Sequence, residues 1–306
     1  MKKLLCLVGP TAVGKTDLAL SLAPKLNAQI VSGDSMQIYR EIEVGTAKPT
    51  ILERQQIKHY LVDQRSIFDS YSVKDFVNEA TTAITKIYQD DHFPFVVGGT
   101  GFYLYALINQ LKLGETGDQK DNVSKKWQDY LAHYGAERLW QELDHSDPVA
   151  AAKIPWQNER RVLRALTVMT RTHHKFSDQQ VQILPRYDTL IIGLNSERQR
   201  VYERINRRVD LMMAKGLLKE AAFIYSNREK EHQVLQAIGY KEFFPYFEGQ
   251  ASLDACVAEL KKASRHYAKR QLTYFRHQLP IVWFDPLNDN HCEEKILNEI
   301  RRWQNA

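Results

Sequence analysis

The sequence predicts an α/β protein: a parallel sheet flanked by helices, interrupted by an all-helical insertion. Three observations predict it. The first is Gly9-Pro10-Thr11-Ala12-Val13-Gly14-Lys15-Thr16, which fits G-x-x-x-x-G-K-[ST]. It stands between an apolar run at residues 4–8 and a helically spaced one at 16–23, the strand–loop–helix context that a phosphate-cradling P-loop needs. The second is the recurrence of short apolar runs between helical stretches, at residues 30–31, 93–97, 187–194 and 281–284. The third is a change of character from Lys112, where strand signals stop and helical ones take over. The expected layout is a P-loop NTPase-like core over 1–111 and 186–306, with 112–185 as a helical insertion domain.

Bulk properties narrow the class. A chain of 306 residues with 43% apolar content can bury a sizeable core as one large or two modest domains. The net charge of +5 permits nucleic acid or phosphorylated ligands. Cys6, Cys256 and Cys292 are far apart, with neither metal-ligand spacing nor a disulfide framework, which suits a reducing cytoplasm. Met1-Lys2-Lys3 and the apolar run behind it resemble a signal peptide, but the run stops at Val8 and enters the Gly-rich loop, so it reads as a core strand. No apolar run approaches the ~20 residues of a membrane span. Nothing demands more than a monomer.

In the loop, the two glycines let the backbone wrap an anion and the following helix aims N–H groups at it. Lys15 adds a point charge, and the Thr16 hydroxyl can reach a phosphate or a magnesium ion. The strand at 30–31 ends in Ser32-Gly33-Asp34-Ser35-Met36-Gln37. Ligands in open α/β sheets sit outside the carboxyl ends of strands, so Asp34 emerges near the P-loop. Asp34 and Ser35 would equally serve to cap a following helix or make a turn. Gly45-Thr46-Ala47-Lys48-Pro49 is a loop. Residues 57–63 read as a short strand ending in Asp63, a rival for the metal-side carboxylate of a nucleotide hydrolase. Residues 72–88 have a helical pattern with Ser72 as cap. The strand at 93–97 ends in Gly98-Gly99-Thr100-Gly101, a second Gly-rich strand-to-helix turn at the ligand edge.

Residues 114–121 read as a polar loop, and 125–143 and 148–170 as helices. Between 148 and 184, Lys153, Arg160, Arg161, Arg164, Arg171 and Lys175 face only Glu159 and Asp178. Arg160, Arg161 and Arg164 share a helix face, suited to a phosphate backbone or to plain solvation. Residues 197–225 read as one long helix capped by Asn195 or Ser196. It carries Arg198, Arg200, Arg204, Arg207 and Arg208 beside an apolar stripe of core character. Residues 235–242 form a Gly-containing turn. The helix at 253–275 interleaves bases with His266, Tyr267, Tyr274 and Phe275, fit for stacking and phosphate contact or for snorkelling over packed rings. A terminal helix runs over 292–303.

Several of these stretches resemble one family together: the bacterial tRNA dimethylallyltransferases, of the IPP transferase family. They are residues 9–16, 32–40 with Asp34-Ser35-Met36-Gln37-Ile38-Tyr39, Gly45-Thr46-Ala47-Lys48-Pro49, 97–104, 160–166, 204–212 with Gly216-Leu217, 236–242 and 264–276 with Tyr267-Ala268-Lys269-Arg270-Gln271 and Phe275-Arg276, in the family's order. The resemblance implies transfer of the dimethylallyl group of dimethylallyl diphosphate to N6 of adenosine 37 in tRNAs that read U-initial codons. It implies Asp34 as the base that takes the amine proton, and Thr100 as a contact to the reacting adenosine or the diphosphate. The P-loop, Lys15 and Thr16 would hold the diphosphate with magnesium, assisted by Arg204 and Arg208. Ser35, Met36 and Gln37 would read the flipped base, and Arg160, Arg161 and Arg164 would grip the anticodon stem-loop. The chain departs from the family's pattern at Lys58-His59, at Tyr274 where tryptophan is usual, at 114–118, and at uncharged Val123. The rival readings are a small-molecule or nucleotide kinase using Asp63, a prenyltransferase of free adenine nucleotides, and a non-catalytic RNA-binding ATPase.

Overall fold

Leu4, Leu5, Cys6, Leu7 and Val8 are all fully buried. An unbroken apolar run is stable as a strand only when both faces are covered, as in a parallel sheet between helix layers. The computed structural model describes residues 1–111, 122–178, 184–230 and 233–306. It divides into one unit of Met1–Gln110 with Pro185–Ala306 and a second of Leu111–Leu184.

In the first unit the chain runs β1 (Lys3–Val8), α1 (Lys15–Lys25), β2 (Ala28–Ser32), α2 (Ile51–Gln56), β3 (His59–Tyr60), α3 (Val73–Gln89), β4 (Phe93–Gly98) and α4 (Gly101–Ile108). The second unit holds α5 (Asn122–Ser146), α6 (Pro148–Ala151) and α7 (Glu159–Thr172). The first unit resumes with β5 (Asp188–Leu194), α8 (Arg198–Ala214), α9 (Leu217–Ser226), α10 (Phe244–Phe247), α11 (Leu253–Gln278), β6 (Val282–Phe284) and α12 (Cys292–Asn305). The six strands are all parallel, in the order β3-β2-β4-β1-β5-β6. Leu5 and Leu7 face a core that includes Leu22 of α1 and Ile296 and Ile300 of α12. Helices α3 and α4 pack together, and α3 also meets β2 and β4. Ser72 caps α3 in a capping box with Asp75.

Several elements differ from the sequence expectation. The 197–225 stretch is two helices, because Gly216 takes a left-handed φ of 98° between them. Its N-cap is Glu197, with no side-chain cap bond, rather than Asn195 or Ser196. The strand at 57–63 shrinks to two residues, since Leu61 and Asp63 have φ of 62° and 57° and leave the extended region. No helix follows Asp34 directly; the next begins at Ile51. The helix expected over 125–143 extends from 122 to 146 but breaks at Gly135. The one expected over 148–170 is two, α6 and α7, separated by a segment containing Pro155. The loop expected at 114–121 lies outside the described residues.

The second unit has its own core of Leu139, Leu143, Ile154, Val162, Ala165 and Leu166. Trp140 donates to the Ile154 carbonyl at 2.6 Å, and Asn158 caps α7 by accepting from the Arg161 N–H. Among the described residues no helix is long and apolar enough to cross a membrane. Cys6, Cys256 and Cys292 are buried free thiols.

Asp63, the rival metal-side acid, is committed to structure. It pairs with Lys48, whose side chain is only 1% exposed, and with Arg54 at 2.5 Å. Lys48 also donates to the Tyr39 carbonyl. Removing one partner of a buried pair leaves an uncompensated charge and costs about 3–5 kcal/mol. Asparagine tolerates the left-handed backbone at this position. Asp63→Asn should therefore lower unfolding free energy in urea titration, by no more than about that amount because Asp63 is partly exposed.

Candidate active site

Sheet register brings three loops together. Val8 of β1 pairs with Gly98 of β4, and Val97 pairs with Ser32 of β2. The P-loop, the Gly99–Thr100 turn and the Gly33–Asp34 turn therefore leave the sheet side by side at its carboxyl edge. The contact is tight. Gly33 N–H donates to the Val97 carbonyl at 2.8 Å, and Thr100 N–H donates to the Gly33 carbonyl at 3.2 Å. A Cβ on Gly98 would collide with the Gly33 backbone, so only glycine permits this approach.

A cavity of about 310 Å³ opens at this edge. Thr11, Ala12, Gly14, Lys15 and Thr16 line it from the loop, and Asp34, Gln37, Thr46 and Gly99 from the neighbouring turns. Helix α8 contributes Arg204, Arg207 and Arg208, and α11 contributes Tyr267 and Gln271. Of the remaining P-loop residues, Val13 is fully buried, and Gly9 and Pro10 offer their carbonyls to the Lys15 ammonium at 2.9 and 2.8 Å. Arg204 Nε donates to the Ala12 carbonyl at 2.8 Å, pinning the crest of the loop to α8.

Asp34 does two things. Its Oδ1 accepts the Met36 N–H at 2.9 Å, closing a turn, and the residue lines the cavity together with the cations. Ser35, Met36 and Thr100 are not among the lining residues; Thr100 Oγ1 accepts the Ser35 N–H at 3.1 Å and so ties two turns together. Gln37 accepts from Ser32 Oγ at 2.9 Å. Arg160, Arg161 and Arg164 belong to the second unit, exposed on α7 opposite its buried Val162, Ala165 and Leu166. His59 does not line the cavity.

The electrostatics favour an anion. Burial, and then the neighbouring Arg208 guanidinium, push the Lys15 ammonium down to about 7, with Asp34 partly opposing. Arg208 is likewise lowered by burial, again opposed by Asp34 and then Asp17. Tyr267 is pushed up to about 12 by burial and then by Asp34, so it stays a neutral phenol. The carboxylates lining the cavity are Asp17 and Asp34, joined by hydroxyls that include the exposed Thr16. Among the described residues no group of three or more His, Cys, Asp or Glu could hold a metal ion. Such a donor set suits a divalent ion carried largely by a polyphosphate, and not a protein cage.

Four contributors were missed by reading motifs. Arg207, Tyr267 and Gln271 reach the cavity from helices distant in sequence, and Glu220 holds the loop that carries Thr46. The Glu220 carboxylate accepts the N–H groups of Glu43, Val44 and Gly45 at 2.7–2.9 Å and the Tyr240 hydroxyl at 2.7 Å. The sequence held partial signals: Arg207 stands in the basic run of 197–225, and Tyr267 and Gln271 stand in the stretch that resembles the family, at i, i+4 spacing on one helix face.

Lys15 makes anion binding pH-dependent. Lys15 sheds its proton as pH rises above about 7. A bound polyanion favours the charged form, so binding takes up a proton between about 7 and the ordinary lysine value near 10.4. Affinity for inorganic diphosphate should fall across that window, read by calorimetry in buffers of different ionisation heat. Lys15→Met should bind at least about tenfold more weakly near pH 7, a loss of about 1.4 kcal/mol, and lack that proton uptake.

A family model for IPP transferase matches residues 37–278. A tRNA dimethylallyltransferase from Lactobacillus acidophilus is 65% identical over 306 residues, spanning 100% of both chains. One from Ligilactobacillus salivarius is 46% identical and spans 99% of each. Among solved structures, the full-length tRNA isopentenylpyrophosphate transferase from Bacillus halodurans superposes with a TM-score of 0.74 at 41% identity, covering 99% of this chain and 97% of that one. A eukaryotic dimethylallyltransferase acting on tRNA gives 0.81 at 29% identity, covering 97% and 78%. With relatives of this identity from end to end and a family match over most of its length, the chain belongs to the IPP transferase family.

Proposed function

We propose that the protein transfers the dimethylallyl group of dimethylallyl diphosphate to N6 of adenosine 37, beside the anticodon of tRNAs reading U-initial codons. The products are N6-dimethylallyladenosine and diphosphate. The observation that carries this reading is one cavity lined both by a P-loop with basic helix residues and by a carboxylate, Asp34. A leaving-group holder and a proton acceptor are what the transfer needs.

The N6–C1 bond forms as the C1–O bond to diphosphate breaks, and the amine gives up a proton. An exocyclic amine is a poor nucleophile, so a base within reach lowers the barrier. Asp34 Oδ1 is engaged by the Met36 N–H, which orients the carboxylate and offers Oδ2 to N6. Negative charge grows on the departing diphosphate. Lys15, Arg208, Arg204 and the N–H groups at the start of α1 neutralise it in a desolvated setting where such contacts are strong. Thr16 and the diphosphate oxygens would hold magnesium, with water completing its shell, and the ion would supply further charge neutralisation. Thr100 fixes the turn carrying Ser35, Met36 and Gln37, which would read the base once it has left the anticodon-loop stack. The exposed arginines of α7, Arg160, Arg161 and Arg164, would grip the phosphates of the anticodon stem-loop.

The direct test incubates the protein with unmodified tRNA, magnesium and either dimethylallyl diphosphate or ATP, then weighs the tRNA nucleosides. A dimethylallyl mass gain on adenosine is expected with the first donor only; its absence overturns the reading. Asp34→Asn keeps the turn's acceptor oxygen but not the base. Its single-turnover rate should fall about 10²–10⁴-fold with tRNA affinity nearly intact. Replacing Arg160, Arg161 and Arg164 together by Ala should weaken tRNA binding and flatten its dependence on salt. An unchanged slope would mean the face is merely solvated.

A further inference from the structure

Gln271 is 7% exposed on α11, one turn beyond Tyr267. A buried carboxamide is costly unless both its ends find partners. Here Oε1 accepts the Thr11 N–H at 2.9 Å and Nε2 donates to the Gly99 carbonyl at 3.0 Å. Thr11 belongs to the P-loop, and Gly99 directly precedes Thr100. The sheet stops holding these segments together at the Val8–Gly98 pair. Gln271 supplies a bridge just beyond it. A Cβ on Gly99 would strike Nε2, so the turn is shaped to receive this side chain. The chemistry is also directional. One partner is a donor and the other an acceptor, and of the two amide orientations only this one satisfies both. The Thr11 N–H is thereby withheld from any bound phosphate, unlike a P-loop amide left free to bind one.

We propose that Gln271 is a positioning residue that holds the diphosphate loop and the Thr100 turn in register, setting the distance between donor carbon and acceptor nitrogen. This rests on the prenyl-transfer reading of the cavity. Near-attack geometry is demanding, and a displacement of about 1 Å can cost about 10²-fold in rate. Loosening the bridge should therefore damage the chemical step more than the binding of either substrate.

Gln271→Ala should lower kcat at least about tenfold at saturating tRNA and dimethylallyl diphosphate, with both KM values within about threefold of wild type. Gln271→Glu gives a sharper signature. When protonated, its carboxyl has one acceptor and one donor and can rebuild both bonds; when ionised, it cannot donate to Gly99. Its kcat relative to wild type should rise as pH is lowered from about 8 to about 5.5, well above the ordinary glutamate range at one end and near it at the other. A third readout does not depend on activity. The Thr11 amide should exchange its hydrogen at least about tenfold faster in Gln271→Ala than in wild type. A kcat within twofold of wild type, or unchanged Thr11 exchange, overturns the proposal. So does a parallel loss of melting temperature and of both substrate affinities with no pH recovery in Gln271→Glu, which marks a purely structural side chain. Wild-type protein that transfers no prenyl group would sink the functional reading instead, and the Thr11 exchange would still report on the bridge.

Discussion

Two cations, Lys15 and Arg208, are held close in a desolvated cavity, and the rest of the site answers to that repulsion. The Lys15 proton is loosened to about 7 by burial and by its neighbour. Asp34 opposes both shifts, and Asp17 opposes that of Arg208. The Lys15 ammonium donates to the Gly9 and Pro10 carbonyls of its own loop. Paired cations of this kind are suited to an anion. The left-handed Gly14 at the N-cap of α1 leaves that helix terminus uncapped by any side chain, so its N–H groups also want an acceptor.

The scaffold that holds this arrangement is built from backbone. Residues at the ends of β1, β4 and β2 are registered pair by pair, and the Gly33–Gly98 contact closes the gap between two of the loops. The strap over Thr46 is fixed by a different device: three successive N–H groups converge on the Glu220 carboxylate, which also takes the Tyr240 hydroxyl. A half-buried carboxylate that accepts from four donors fixes the strap, because moving it would break all four hydrogen bonds. Positions on the cavity wall thus inherit precision from secondary structure and from one anchored acid, which suits a reaction sensitive to small displacements.

The central strands were legible because residues 4–8, 95–96 and 190–194 are largely apolar runs buried between helices, and the loop motifs because their residues are consecutive. What stayed hidden was tertiary. The stripe of Val201, Ile205 and Val209 gives no sign that the helix stops where Gly216 turns left-handed. Asp63 looked free for a metal until its partners Lys48 and Arg54 were seen, one of them from the loop after Gly45. Gln271 sits among six bases in the sequence of α11, and composition pointed to them and to the rings. Its importance lies in two backbone groups some 170 and 260 residues away, at separations of 172 and 260. Periodicity reports which face of a helix is buried, but not what a buried polar side chain touches.

Asp34 stands in apparent conflict with the cavity it lines, since a carboxylate repels the diphosphate that the P-loop attracts. The conflict resolves if charge is followed through the proposed reaction. Before transfer, the carboxylate helps keep Lys15 and Arg208 protonated, the form that binds the donor. During transfer, the proton leaves N6 as negative charge moves onto the leaving group. Asp34 is neutralised just as the diphosphate gains charge, so repulsion between the two falls at the moment it would otherwise be greatest. A γ-phosphate transfer offers no such exchange, because its metal-side acid must stay ionised to hold the cation. The acid that could have filled that role, Asp63, is instead committed to two structural cations. A P-loop beside an uncommitted carboxylate is therefore better matched to releasing a diphosphate than to passing a phosphoryl group on.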